Sequence, residues 1–150
     1  MIITIRSARS DEVDLVLELW KTGQPVPSST DDPEGVLGLL HRDPTALFVA
    51  EVDGRLVGTL IVGWDGWRAG LYRLVVLPDV RSMGIARLLV QAGEARLREL
   101  GARRLSCMVM SDHDHANAFW EAMGYELLDG VGRYIKDFPA PQVLDMPSDD

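Results

Sequence analysis

Val76-Leu77-Pro78-Asp79-Val80-Arg81-Ser82-Met83-Gly84-Ile85-Ala86-Arg87-Leu88-Leu89 carries the chain from the end of an apolar strand, through a short loop, into a long amphipathic helix. Upstream, Leu71 to Leu77 is an apolar run stopped by Pro78-Asp79. Downstream, Ile85, Leu88, Leu89, Ala92, Leu97 and Leu100 recur at helical spacing until Gly101, a residue suited to the left-handed position that closes a helix. The N-terminus of that helix points free backbone N–H groups back at the loop, and small residues at Gly84 and Ala86 let an anion approach them closely. Strand, loop and helix together form an expected diphosphate cradle. Gly84 alone would equally suit a tight helix start, so the rest of the chain has to decide.

Working outward, Leu47 to Val52 and Leu56 to Val62 flank Asp53-Gly54, one of the strongest short signals for a hairpin. Ile3 to Arg6 alternates as a strand, and Ser10-Asp11-Glu12 offers a cap and an acidic first turn ahead of Val13, Val16, Leu17 and Trp20. Gln24 to Asp32 reads as a loop, with Asp32-Pro33 as cap and first residue of a second helix. After the long helix, Leu105 to Met110 reads as a strand and Asp112 to Met123 as a helix ended by Gly124. Tyr125 to Leu128 and Arg133 to Phe138 read as two last strands around Asp129-Gly130. The expectation is an α/β (α+β) fold, order β-α-α-β-β-β-α-β-α-β, with about six to seven strands in a mixed sheet and about four helices. Residues 1–138 form one domain, and 139–150 an acidic, Pro-containing, flexible tail.

Composition narrows the partners. The 150 residues are 47% apolar, enough for one substantial core, and 15 Lys+Arg against 23 Asp+Glu leave a net charge of -8. That sign disfavours nucleic acid and favours cationic small molecules. Cys107 is the single cysteine, so neither an intrachain disulfide nor a Cys-rich zinc site can be built. No stretch approaches the length of a membrane span, and the N-terminal apolar run is too short for a signal peptide. A cytoplasmic protein without metal is expected. The string Asp112-His113-Asp114-His115 does not change this, because alternating side chains in one short loop rarely converge on one ion.

Arg81-x-x-Gly84-x-Ala86, preceded by Val-x-Pro and followed by Leu-Leu, resembles the acyl-CoA signature of the GNAT N-acetyltransferase superfamily. Phe119-Trp120-Glu121-Ala122-Met123-Gly124-Tyr125 resembles a later motif of the same family, and the segments around Asp53-Gly54, Gly63 to Arg68 and Tyr72 to Val76 look closest to the small YpeA-type acetyltransferases. The resemblance covers about Ile3 to Phe138. It implies that acetyl-CoA is a co-substrate, held through the backbone of Leu74, Val75 and Val76 where strands four and five splay apart. Its diphosphate would lie on Arg81, Ser82, Met83, Gly84, Ile85, Ala86 and Arg87. Ser82 and Ala86 replace two glycines of the commoner form, and Met83 replaces a basic residue.

The family's chemistry is direct acyl transfer, in which a neutral amine attacks the thioester and the coenzyme A thiolate leaves. Many relatives protonate that thiolate with a Tyr, but Trp120 stands at the corresponding place. Trp120 would pack on the pantetheine or the substrate, or in the core. Met108 takes the place of a strand-five Glu, and His113 that of an Asn contacting coenzyme A, a role open to Asn117 as well. For proton transfer the candidates are Tyr72, expected by period two to face the same way as Leu74 and Val76, Asp65 between Trp64 and Trp67, or a water chain. Trp64 and Trp67, with the loop from Gln24 to Asp32, are expected to line the acceptor mouth. Acylation of Cys107 is a minor alternative route. The acceptor is expected to be a small-molecule amine or a peptide N-terminus, the protein a possible homodimer, and a non-catalytic acyl-CoA-binding module is the competing reading.

Overall fold

The computed structural model of the chain describes residues 1–23 and 28–139. Five strands, β1 (Ile3–Ser7), β2 (Leu47–Val52), β3 (Arg55–Trp64), β4 (Ala69–Val76) and β5 (Leu105–Cys107), lie in sequence order in one sheet. The first four are antiparallel neighbours, and β5 joins β4 in parallel, as a connection through a helix requires. The helices are α1 (Val13–Gly23), α2 (Pro33–Arg42), α3 (Ile85–Glu99) and α4 (Asp114–Ala122).

Local chemistry explains the boundaries. Asp53 and Gly54 both adopt positive φ, +49° and +83°, as a tight turn between twisted strands demands. Asp32 caps α2 by accepting from the Gly35 N–H at 2.7 Å, with Pro33 in the first helical position. At the first helix the expected cap shifts: Ser10–Glu12 is a single 3-10 turn, and Glu12 reaches back to accept from the Arg9 N–H at 2.9 Å. The same carboxylate takes two hydrogen bonds from Arg6, at 2.8 and 2.7 Å, and Arg6 also pairs with Glu51 on β2.

Two cores form, one on each face of the sheet. Val16, Leu19 and Trp20 of α1 and Val36 and Leu40 of α2 cover Leu47, Val49 and Val75. On the other face Ile85, Leu89, Val90 and Leu97 of α3 and Trp120 of α4 cover Leu60, Val62 and Leu71. Arg96 fastens α3 to the rest, donating to the Val62 carbonyl at 3.0 Å and to both Asp43 oxygens at 2.8 and 2.7 Å.

Two expectations need correction. β5 ends at Cys107 rather than Met110, and neither Tyr125–Leu128 nor Arg133–Phe138 is a strand, so the described residues hold five strands rather than six or seven. Strand propensity acts only where a neighbouring edge offers hydrogen bonds, and β5 is three residues long with Met108 and Met110 already exposed beyond it. The Asp129-Gly130 turn does form in part, with Gly130 at φ +80°. Residues 24–27 of the expected loop, and the expected tail from residue 140, lie outside the described residues.

Candidate active site between the diverging strands

The parallel ladder of β4 and β5 is short. Ala69, Gly70 and Leu71 pair with Leu105, Ser106 and Cys107, and there it stops, while β4 runs on to Val76. The β5-facing edge of β4 from Tyr72 to Val76 is therefore free of strand pairing, and its backbone groups have no strand partner on that side. On the opposite side the pairing with β3 also breaks register: Thr59 stands opposite Val75 and Ile61 opposite Tyr72, so Arg73 and Leu74 together face Leu60. This is a β-bulge, and Arg73 sits in it at φ +53°.

The bulge overturns the simple period-two reading of β4. Leu71 is buried in the α3-side core, and Leu74 and Val76 pack against that same core. Tyr72 points to the other face, where its ring lies over Gly63 and Gly70, a cross-strand pair. A Cβ at Gly70 would collide with the Tyr72 hydroxyl, so the glycine is what lets the ring lie flat. Tyr72 remains 54% exposed on the side of α1 and α2.

Beyond β4, Pro78–Val80 makes a 3-10 turn and the chain enters the loop leading to α3. Ser82 and Gly84 both take left-handed conformations, φ +68° and +81°, and such a local alternation turns successive N–H groups toward one concavity. Ile85, Ala86 and Arg87 then contribute the N–H groups that a helix start leaves without carbonyl partners. No atom comes within 4 Å of the place a Gly84 Cβ would occupy, so the space beside this glycine is open. Arg81 folds back, its Nε donating to the Val76 carbonyl at 3.0 Å, and so ties the loop to the end of the open edge. Arg87, Ser82 and Met83 are exposed at the rim.

The other sequence candidates have structural roles in view. His113 caps α4 by accepting from the Ala116 N–H at 3.1 Å, and Asn117 donates to the His113 carbonyl at 2.9 Å. Trp120 is 9% exposed and meets Phe119 and Tyr125 edge-on, with ring centroids 5.2 and 4.9 Å away. The Tyr125 hydroxyl is buried without a hydrogen-bond partner, and burial, together with the nearby Glu94, pushes its ionisation up. Asp65 accepts from the Arg68 and Trp67 N–H groups at 2.6 and 2.8 Å, and these two bonds hold its carboxyl below the usual range. It lies in the β3–β4 turn opposite Arg68, five residues along the strand from Arg73, about 16 Å at ~3.3 Å per residue. Trp64 packs toward the α3-side core, while Trp67 is exposed beneath the Arg68 guanidinium, 4.4 Å from the ring centroid. Tyr72 stands beside the open edge; Asp65, Trp64 and Trp67 do not.

Cys107 terminates β5 where the strands part. Burial pushes its thiol up to about 11, which keeps it protonated and a poor nucleophile at neutral pH. Among the described residues, no three His, Cys, Asp or Glu side chains stand together as metal ligands would, and no helix is long and apolar enough to cross a membrane.

The sequence profile of the Acetyltransferase (GNAT) family matches residues 13–125. An acetyltransferase of Sodalis glossinidius is 35% identical over 127 residues, covering 85% of this chain and 89% of its own. One from Pectobacterium atrosepticum is 34% identical with 85% and 90% covered. Among solved structures, the PaiA N-acetyltransferase of Thermoplasma acidophilum in complex with coenzyme A superposes with a TM-score of 0.77 at 20% identity, covering 88% of this chain and 94% of its own. The acetyltransferase AAC(6′)-Iy, bound to a bisubstrate analogue that joins CoA to monomethyl-acetylneamine, gives 0.75 at 22% identity with 92% and 100% covered. The overall fold is thus shared with these structures, and with profile and relatives in agreement the chain belongs to the GNAT acetyltransferase family and is an N-acetyltransferase.

Proposed function

We propose that the protein transfers the acetyl group of acetyl-CoA directly to a primary amine, of a small molecule or a peptide N-terminus, with both substrates bound at once. The observation that carries this reading is the free β4 edge from Tyr72 to Val76 lying in line with the cradle at 81–87. A pantetheine arm is a slender chain of amides, and it hydrogen-bonds to Leu74, Val75 and Val76 much as a strand would. Its diphosphate then reaches the N–H groups at the start of α3, which the positive end of the helix favours.

The thioester carbonyl meets backbone donors at the bulge, where negative charge on its oxygen is stabilised as the amine attacks. Tyr72 is an exposed side chain at that edge on the α1 and α2 side, and we assign it to orienting the acceptor or a proton-carrying water. Asp65 takes a lesser part: an exposed carboxylate at the rim, ionised at neutral pH, draws in an ammonium without reaching the thioester. The net charge of -8 favours cationic acceptors in the same sense.

A thermal-shift titration with acetyl-CoA tests the donor. Saturation at 100 times Kd adds about 2.7 kcal/mol, a rise of roughly 5–10 °C for a chain of this size. Thiol release from acetyl-CoA is then followed across polyamines, aminoglycosides, amino acids and short peptides. No shift with acetyl-CoA or free coenzyme A would remove the donor assignment.

A further inference from the structure

Arg73 is a charged residue in a left-handed conformation in the middle of a strand, and the surrounding groups hold it there from two directions. Its carbonyl accepts from the Thr59 hydroxyl at 2.8 Å, and that hydroxyl in turn accepts from the Trp20 indole N–H at 2.8 Å. Thr59 is wholly buried and Trp20 nearly so. Its guanidinium donates from Nε and Nη2 to the two oxygens of Asp31 at 3.0 and 2.6 Å, and from Nη2 to the Ser28 hydroxyl at 2.8 Å. The guanidinium also lies over the Trp20 ring, 5.6 Å from its centroid. Both partners of the ion pair are largely screened from water, at 17% and 13% side-chain exposure.

These contacts have an effect on the strand. A residue other than glycine at φ +53° is strained, and strain of this kind persists only where neighbouring structure over-determines it. A bidentate, mostly buried pair differs from the exposed ion pairs that contribute little to stability, because removing one partner leaves a charge stranded. The network therefore fixes the carbonyl and the side chain of the one residue whose conformation creates the bulge. It also fastens Ser28 to Asp31, the segment leading into α2, against that strand.

We propose that Asp31, Arg73, Thr59 and Trp20 form a positioning network that holds the β4 bulge in the geometry needed to receive the thioester carbonyl. The Arg73 side chain, held by Asp31 and Ser28, acts through the backbone and touches neither substrate. The inference rests on the reading that acetyl-CoA lies along the Tyr72–Val76 edge. It adds that the acceptor-side segment and the carbonyl site are one mechanical unit, so that Asp31 sets the reacting geometry.

The test uses the full chain and acetyl-CoA carrying a carbon-13 label at the thioester carbonyl. Infrared difference spectra read the stretching frequency of that carbonyl, which falls when it accepts hydrogen bonds, and calorimetry reads the affinity for free coenzyme A. In the parent protein the frequency falls on binding. Asp31→Asn and Arg73→Ala lose most of that fall while binding free coenzyme A within about threefold of the parent. Arg73→Gly keeps it, because glycine adopts positive φ without needing the network. If Asp31→Asn and Arg73→Ala both show the parent frequency, the network does not position the carbonyl. If Arg73→Ala does not fold, Asp31→Asn against Arg73→Gly decides in the same way. Binding of acetyl-CoA by the parent with no change in frequency would remove the placement of the thioester and this inference with it, and a cradle that still binds coenzyme A would show that only that placement had failed.

Discussion

Gly84 stands at the start of α3 with a left-handed backbone at φ +81° and empty space where a side chain would begin. A β-branched residue there costs conformational strain of about 1–3 kcal/mol and shifts the N–H groups of the loop out of their arrangement. Gly84→Val is expected to weaken acetyl-CoA binding by roughly tenfold or more by calorimetry, with a small fall in Tm. Cys107 is the opposite case, a residue whose chemistry is suppressed by its surroundings. With its thiol raised to about 11, only a trace is thiolate at neutral pH, so alkylation by iodoacetamide should be slow in the native state and fast in urea. Cys107→Ala should leave turnover intact; abolished turnover with unchanged coenzyme A binding would restore an acyl-thiol route. Gly84 was legible in the sequence because its role depends on spacing along the chain. Arg73 was not, since neither a strand propensity nor a period signals a left-handed residue, although a lone charge inside the run Leu71 to Leu77 marks the place.

Among the elements, α3 lies close to the sheet because Gly93 has no side chain. A Cβ there would come within 2.9 Å of Val62 Cγ2 and 3.1 Å of Leu60 Cδ2, both belonging to fully buried residues. Gly93→Val should destabilise by about 1–3 kcal/mol, seen as a lower urea midpoint at unchanged slope, because the gap cannot widen without lifting α3. The elements that sequence reading found are those with local determinants: the hairpin at Asp53-Gly54, the Asp32-Pro33 start of α2, the helix closed at Gly101. What it missed depends on pairing between distant segments. The bulge opposite Leu60 exchanges the faces of Tyr72 and Leu74 in a way no alternation within β4 could disclose, and the expected late strands needed an edge that β5 is too short to supply.

For the molecule as a whole, stability toward acid depends on the cluster that joins β1, the turn before α1, and β2. Hydrogen bonds from Arg6 outweigh burial and hold the Glu12 carboxyl down to about 2, with the Arg9 N–H and charge adding to the effect. A carboxyl whose folded value is depressed contributes stability that is complete above its unfolded value, near 4.5, and is lost as pH falls from there toward 2. Tm should therefore drop between about pH 5 and pH 2, and Glu12→Gln should flatten that drop while lowering Tm at pH 7.

An unpaired strand is ordinarily a hazard, because its backbone invites a strand from another molecule and leads toward fibrils. In this sheet the exposed row lies in the cleft of a wedge, with β5 bonded to β4 over three residues and a core on each face. An intruding polypeptide would have to carry bulky substituents into both layers, whereas a thin unbranched arm slips in edgewise. The wedge thus sorts visitors by girth, and the seam that would endanger a flat sheet becomes its turnstile.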